Sequence, residues 1–343
     1  MMAEQAVSAS ARVIEVLSGA FIAQAVYVAA KLGIADRLVA GPVTGATLAR
    51  DLAVDEVALT RVMRLLVAQG IFAQAPSGEY ANTPLSSTLT TGGGESLRDL
   101  AIWWCEEPHW RVFGHLLESV RTGRPAWPMV HGMDLFAYLT EANPPLGAIF
   151  HRAMTSFSGT TIPAVLAAHD FSGCGVVADI GGGHGHLLAA ILAAAPHTGG
   201  ILFDLPAAVA GAPEQFATAG VADRARIVTG SFFDPLPFTA DTVVLKHILH
   251  DWPDDDCVRL LGRVRDALPA RGRVLVVEMV VPDTDSPHFS KVCDIEMLVS
   301  VGGRERSPTE FARLFAAAGL RMTKVVPTAS VVSIIEATLE NAS

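Results

Sequence analysis

The sequence predicts an α/β fold in which a mostly parallel sheet ends in an antiparallel hairpin and is preceded by a mainly helical half. Three observations point to it. Beyond about residue 175, short apolar runs at 176–180, 200–204, 225–229, 241–246 and 273–281 are separated by helix-length segments, the rhythm of an α/β sheet. After a helical stretch at 308–318 come two further runs, 322–326 and 330–335, close enough in sequence to pair antiparallel. Residues 1–150, by contrast, carry mostly helical spacing, and the chain of 343 residues is long enough for two domains, 1–150 and 151–343.

Composition narrows the class. Half of the residues are hydrophobic and 17% are charged, which excludes a disordered chain. Mean hydropathy of +0.38 is high and implies apolar surface buried between subunits. The uncharged run from Val16 to Ala30, between Glu15 and Lys31, is shorter than the ~20 residues a bilayer helix needs, so no membrane span is expected. No secretory signal layout opens the sequence, and Cys105, Cys174, Cys257 and Cys293 form no Cys-x-x-Cys pair, which points to a reduced cytoplasmic protein without structural zinc. A net charge of −10 repels phosphate backbones and argues against nucleic acid as partner.

In the front half, Asp55 is placed to cap a helix with apolar positions Val57, Val62, Leu65 and Leu66, and Gly70 to end it. The alternating 71–74 and 79–83, joined through Ser77-Gly78, follow as a hairpin. Helix, helix, hairpin is a winged-helix pattern.

The most informative stretch is Val176-Val-Ala-Asp-Ile-Gly-Gly-Gly-His-Gly-His-Leu-Leu, a strand entering four glycines in five positions and then an apolar helix. Backbone there can approach a ligand closely. His186 stands where a dinucleotide fingerprint needs its last glycine, which disfavours a pyrophosphate site. Asp204 closes the second strand, 25 residues after Asp179, where a carboxylate can accept both hydroxyls of a ribose, although an aspartate before Leu-Pro also suits an ordinary strand end. Gly230-Ser-Phe-Phe ends the third strand with a hydroxyl and a ring for stacking, while one of Phe232 and Phe233 serves equally well as core.

The fourth strand runs into Lys246-His-Ile-Leu-His-Asp-Trp-Pro-Asp-Asp-Asp, so His250 lies at the carboxyl edge of the sheet, where open α/β folds bind ligands. It is a candidate general base, with Glu278 and Glu305 as carboxylates to orient it. Taken alone, His250 also suits a structural role, and Glu305 a charged surface loop. Asp254 to Asp256 read as first-turn acids of a helix opened by Pro253. No second histidine at ligand spacing supports a metal at His250.

Together with Leu32-Gly-Ile-Ala-Asp, Arg64-Leu-Leu, Gly70-Ile-Phe, Leu135-Phe-Ala-Tyr-Leu, Phe150-His-Arg-Ala-Met154, Phe203-Asp-Leu-Pro and Gly302-Gly-Arg-Glu-Arg, these motifs make the sequence similar, over nearly its whole length, to class I S-adenosylmethionine-dependent small-molecule O-methyltransferases of plant and bacterial antibiotic pathways. The resemblance implies a Rossmann-like methyltransferase sheet behind a winged-helix-like dimerisation domain, and a homodimer. It implies S-adenosyl-L-methionine as cofactor, with the methionyl end at Gly181 and Ser158, the ribose on Asp204, and the adenine among Ser231, Phe232, Lys246 and Trp252. Several relatives carry an acid at the position of Ser231. His250 would be the proton acceptor framed by Glu278 and Glu305, and Phe150, Met154, Asp251 and Met297 would line the acceptor pocket.

The implied reaction is in-line attack of a substrate oxygen on the sulfonium methyl, for which alignment alone is worth ~7–11 kcal/mol. A phenol near pKa ~10 facing imidazole near ~6.5 leaves a proton-transfer penalty of about 4.8 kcal/mol, against about 13 kcal/mol for an alcohol near ~16. An aromatic hydroxyl is therefore the expected acceptor. The alternatives are C- or N-methylation, or a non-methylating relative on the same scaffold. A ligand-sensing winged-helix regulator is the reading from a different class; Arg61 and Arg64 would serve it, but few further cations surround them.

Overall fold

The computed structural model describes residues 8–92 and 96–340. The chain forms two compact units that a single cut near residue 150 does not separate: one runs up to Arg111 and adds Leu139–Phe157, the other combines Val112–Tyr138 with everything from Ser158 onward. The physical reason is local packing. Helices Leu116–Thr122 and Ala126–His131 pack on Phe289–Ser300 and so belong with the second unit.

The first unit opens with helix Ala9–Leu32, capped by the Ser8 hydroxyl and closed at Gly33 in the left-handed region. Its charged residues interrupt the apolar run in sequence but not the helix. At 24 residues, with a mean hydropathy of 1.8 in its most apolar window, it is by length and composition able to cross a membrane, which the shorter uncharged run had not suggested. Only Ala25, Ala29 and Ala30 of it are buried, while Val13, Ile14, Val16, Leu17 and Phe21 are exposed.

Asp55 does cap helix Glu56–Ala68, accepting the Ala58 N–H at 2.7 Å. Its inward face is Leu59, Met63 and Leu66, and Val57 points to solvent, because three-to-four-residue spacing from Leu59 sets the buried stripe. Strand β1 (Val43–Thr44), too short to show a period in sequence, pairs with β3 (Glu79–Asn82), which pairs with β2 (Phe72–Gln74). Helices Gly45–Leu52 and Glu56–Ala68 followed by this hairpin reproduce the predicted order.

The second unit holds a seven-stranded sheet of β4 (Val176–Ile180), β5 (Gly199–Asp204), β6 (Ala225–Thr229), β7 (Thr242–Lys246), β8 (Arg273–Glu278), β9 (Leu320–Pro327) and β10 (Ser333–Leu339). Its order is β6-β5-β4-β7-β8-β10-β9, with the first five strands parallel and β10 antiparallel to both neighbours. The strand ends of β4 to β7 and β9 lie within two residues of the sequence reading, and the larger differences are in the other two. The fifth parallel strand stops at Glu278 rather than 281, and the last runs Ser333–Leu339 rather than 330–335. In both places hydrogen bonds, not hydropathy, set the limit. Val281 donates to Arg306 outside the sheet, and the Thr328 hydroxyl donates to the Val332 carbonyl to close the turn. Val243, Leu245, Val274 and Val276 pack against Leu260, Leu261, Phe311 and Phe315 in the core. The strand order reverses at β4, with β5 on one side of it and β7 on the other, which creates a switch point, so the carboxyl ends of β4, β5, β7 and β8 open onto a common rim.

Candidate active site

At that rim, β4 enters the glycine loop. Gly181 has φ +72°, and a Cβ there would press on Ile248, with its Cγ1 at 2.9 Å, so only glycine fits. Gly183, at φ +55°, is bordered by open space and donates its N–H to Asp204 Oδ2 at 2.9 Å, while Leu205 N–H donates to Oδ1 at 2.7 Å. Burial pushes the Asp204 carboxyl up, and these two backbone bonds oppose the shift. Each oxygen retains capacity to accept a further hydroxyl.

Behind the loop, Lys246 at the end of β7 donates to the Ser158 hydroxyl at 2.8 Å. Asp179, the last acid of β4, is buried. Desolvation pushes it up to about 7 although Lys246 pulls it down, and the same burial pulls Lys246 down to about 8 against the pull of Asp179. Lys246 therefore groups with Ser158 and Asp179. The sequence reading does not include Asp179 among the candidate site residues; its sequence signal is an acid two residues before the first glycine.

Phe232 lies edge-on to Trp252 with ring centres 6.0 Å apart, and its ring is the nearest aromatic neighbour of Gly181. Phe233 is clasped between Trp252 and the Arg259 guanidinium. Both rings also pack on the core, the second role that the sequence left open for one of them. Ser231 accepts the Phe233 N–H at 3.2 Å, a local turn contact.

The segment after β7 turns sharply. His247 takes φ +54°, rare for a non-glycine residue, and Leu249–Asp251 form a single 3₁₀ turn. Glu278 holds this bend from β8, its Oε1 accepting the N–H groups of both Ile248 (3.2 Å) and His250 (3.1 Å). The His250 Nδ1 lies 2.9 Å from Glu305 Oε1, and its Nε2 lies 3.6 Å from Asp251 Oδ1. Of the two carboxylates expected to frame the ring, Glu305 thus bonds the ring itself, whereas Glu278 bonds the backbone beneath it. Glu305 is not on a surface loop: Gly302-Gly-Arg-Glu-Arg folds inward, and both Glu305 and Arg306 are buried.

Burial alone would lower the His250 imidazolium, but Asp251, Glu305 and Glu278 together raise it to about 10. Burial raises the carboxyl partners in turn, Glu278 to about 7 and Asp251 to about 6. His250, Asp251 and Glu278 share protons as one coupled set.

The remaining pocket candidates divide between the units. Asp251 and Met297 belong to the second, where the Met297 carbonyl accepts the Gly302 N–H at 2.8 Å and so anchors the inward fold of the Glu305 segment. Phe150 and Met154 belong to the first, where Phe150 lies edge-on to Trp103 at 5.0 Å and Trp103 contacts the buried His109 ring.

Comparison with known families decides the identity. Residues 113–321 match the O-methyltransferase domain, and residues 14–92 the O-methyltransferase dimerisation domain. The chain belongs to the O-methyltransferase family. It is 39% identical over 332 residues to a phenazine O-methyltransferase of Lysobacter antibioticus, covering 97% of both chains. It is also 34% identical to an 8-amino-8-demethylriboflavin N,N-dimethyltransferase of Streptomyces davaonensis, over 92% of this chain and 91% of that one. Among solved structures, an O-methyltransferase from neocarzinostatin biosynthesis, bound to S-adenosyl-L-homocysteine and 1,4-dihydroxy-2-naphthoic acid, superposes with a TM-score of 0.78 at 36% identity, over 92% and 95% of the two chains. This O-methyltransferase thus shares sheet, helical dimerisation domain and family with enzymes of aromatic secondary metabolism.

Proposed function

We propose that this O-methyltransferase methylates a phenolic hydroxyl of an aromatic secondary metabolite, using S-adenosyl-L-methionine and His250 as proton acceptor. The observation that carries the reading is the 2.9 Å contact between Glu305 and His250 Nδ1 at the carboxyl edge of the sheet, which fixes the ring and makes Nε2, beside Asp251, the nitrogen that takes a substrate proton. The donor set suits the cofactor: an acceptor for ribose hydroxyls in Asp204, rings for adenine in Phe232 and Trp252, and a cation for the methionyl carboxylate in Lys246. When bound, the cofactor supplies an electrophilic methyl group on its sulfonium. The chain's own residues align the acceptor and manage its proton.

Proton management follows from the charge on His250. With the imidazolium near 10, a phenol near pKa ~10 faces an acceptor of matched basicity, and the transfer penalty of about 4.8 kcal/mol for ordinary imidazole nearly vanishes. The cost moves to the resting state, in which His250 is charged at neutral pH. Neutral His250 with phenol, and imidazolium with phenolate, each hold one proton fewer than that resting state. Rate must therefore rise with pH. The kcat/KM for the acceptor is expected to climb steeply from pH 7 towards 9; a flat profile across that range would remove His250 from the proton path.

Asp204→Ala is expected to weaken S-adenosyl-L-homocysteine binding by ~10–100-fold, the worth of lost charge-assisted hydrogen bonds, with calorimetric titration as the measurement. The exposed apolar face of helix Ala9–Leu32, within the matched dimerisation domain, assembles the chain as a homodimer. The acceptor is settled by mass spectrometry of products formed from labelled cofactor and a panel of phenols and aryl amines. Label on oxygen supports the proposal; label only on nitrogen, the chemistry of the riboflavin-type relative, replaces it.

A further inference from the structure

We propose that Arg306 is a positioning residue for His250, its guanidinium clamping the carbonyl groups on either side of the His250-Asp251 pair. The inference rests on the reading of His250 as proton acceptor. Arg306 is 1% exposed, and every one of its N–H groups is accounted for. Nη1 donates to the Leu249 carbonyl at 2.8 Å and lies 3.4 Å from the Arg304 carbonyl. Nη2 donates to the Trp252 carbonyl at 2.9 Å and to Asp254 Oδ1 at 2.7 Å, and Nε reaches the same carboxylate oxygen at 3.0 Å. Leu249 and Trp252 bracket His250 and Asp251. A planar fork anchored on Asp254 therefore fixes the two ends of the turn that carries the ring.

The backbone of the same segment completes the grip. Arg304 N–H donates to the His250 carbonyl at 2.9 Å, Glu305 N–H to Asp294 Oδ1 at 2.9 Å, and Val281 N–H to the Arg306 carbonyl at 3.0 Å. One short segment thus holds the imidazole through Glu305 and the peptide groups flanking it through Arg306. Lysine cannot imitate this, since a point charge lacks the fork. The turn has a second support in Cys257, whose thiol donates to the same two carbonyls at 3.1 and 3.4 Å, so loss of Arg306 leaves the turn folded but loose.

The test compares Arg306→Lys, Arg306→Met and Asp254→Asn with the parent chain. Three quantities are read: S-adenosyl-L-homocysteine affinity by calorimetry, kcat with a phenol of the panel above that the parent chain methylates, and the ¹⁵N resonances of His250 during titration, assigned by their loss in His250→Gln. The groups facing His250 are Asp251 and His247 on its own segment, Glu278 on β8, and Glu305 on the loop. Slackening of the Glu305 contact is expected to move the His250 midpoint down and to lower kcat by ~10–100-fold in Arg306→Lys and Arg306→Met, with affinity changed less than about twofold. Asp254→Asn should fall between these variants and the parent.

Unchanged His250 titration and kcat in folded Arg306→Lys and Asp254→Asn overturn the proposal, even if Tm falls. A midpoint that moves up overturns it too, because that is the signature of a lost distant charge rather than of a displaced ring. If Arg306→Met does not fold, the other two variants decide. Parent-like turnover in His250→Gln would remove the proton-acceptor reading, while the resonance shift in Arg306→Lys would still report positioning.

Discussion

Alanine at position 250 is expected to lower kcat by ~10²–10⁴ while leaving S-adenosyl-L-homocysteine affinity within about twofold. The separation is built into the geometry. His250 bonds Glu305 and faces Asp251, and its N–H is taken by Glu278, whereas the residues proposed for the cofactor, Asp204 at the end of β5 and Lys246 with Ser158, hold their own partners independently of the ring. Removing the imidazole therefore removes the proton acceptor without unmaking the cofactor's supports. It also leaves Glu305 buried with no cation at its Oε1, so Tm is expected to fall, since a buried charge without a partner is costly. Single-turnover kinetics with the identified acceptor measure the first effect. Parent-like turnover would mean that the substrate proton leaves by another route.

Gly303→Ala is expected to come close to this loss without touching any ionisable group. A Cβ at position 303 would enter the space of the His250 carbonyl oxygen, with carbonyl carbons of Asp251 and His250 at 2.6 and 2.8 Å, and backbone atoms cannot swing aside as a side-chain end can. Either the 302–306 segment or the His250 turn must move. A displacement of about 1 Å in a catalytic contact costs on the order of 10²-fold in rate, and forcing a methyl into packed backbone costs ~1–3 kcal/mol of stability. The expected result is a kcat reduced about a hundredfold, a lowered Tm and an intact far-ultraviolet circular dichroism spectrum. Parent-like kcat would show that the tight approach of these two segments is dispensable.

Much of the scaffold was legible because its signals are local. β4 and β6 coincide with the apolar runs that predicted them, and Asp55 caps its helix as an aspartate before an apolar period should. The glycine loop, Asp204 and His250 were legible for a related reason: each sits at the end of a strand, and the ends of parallel strands share one rim. Periodicity failed where hydrogen bonds outside the strand set the limit, as at Glu278 and Ser333. It failed also for Val57, apolar and near helical spacing yet exposed, because burial depends on what faces a side chain.

The sequence by itself determined the fold class, the family and the rim on which the chemistry must lie, since strand periods, turn glycines and chain order are properties of neighbouring residues. Tertiary structure alone decided the rest. It folded a charged Gly-Gly-Arg-Glu-Arg loop inward, gave Glu305 to the imidazole and Glu278 to the backbone beneath it, and drew Lys246 to Ser158 and Asp179. These partners lie 28 to 88 residues apart, and a charge so far along the chain finds its counterpart only when burial makes an unpaired one too costly to keep.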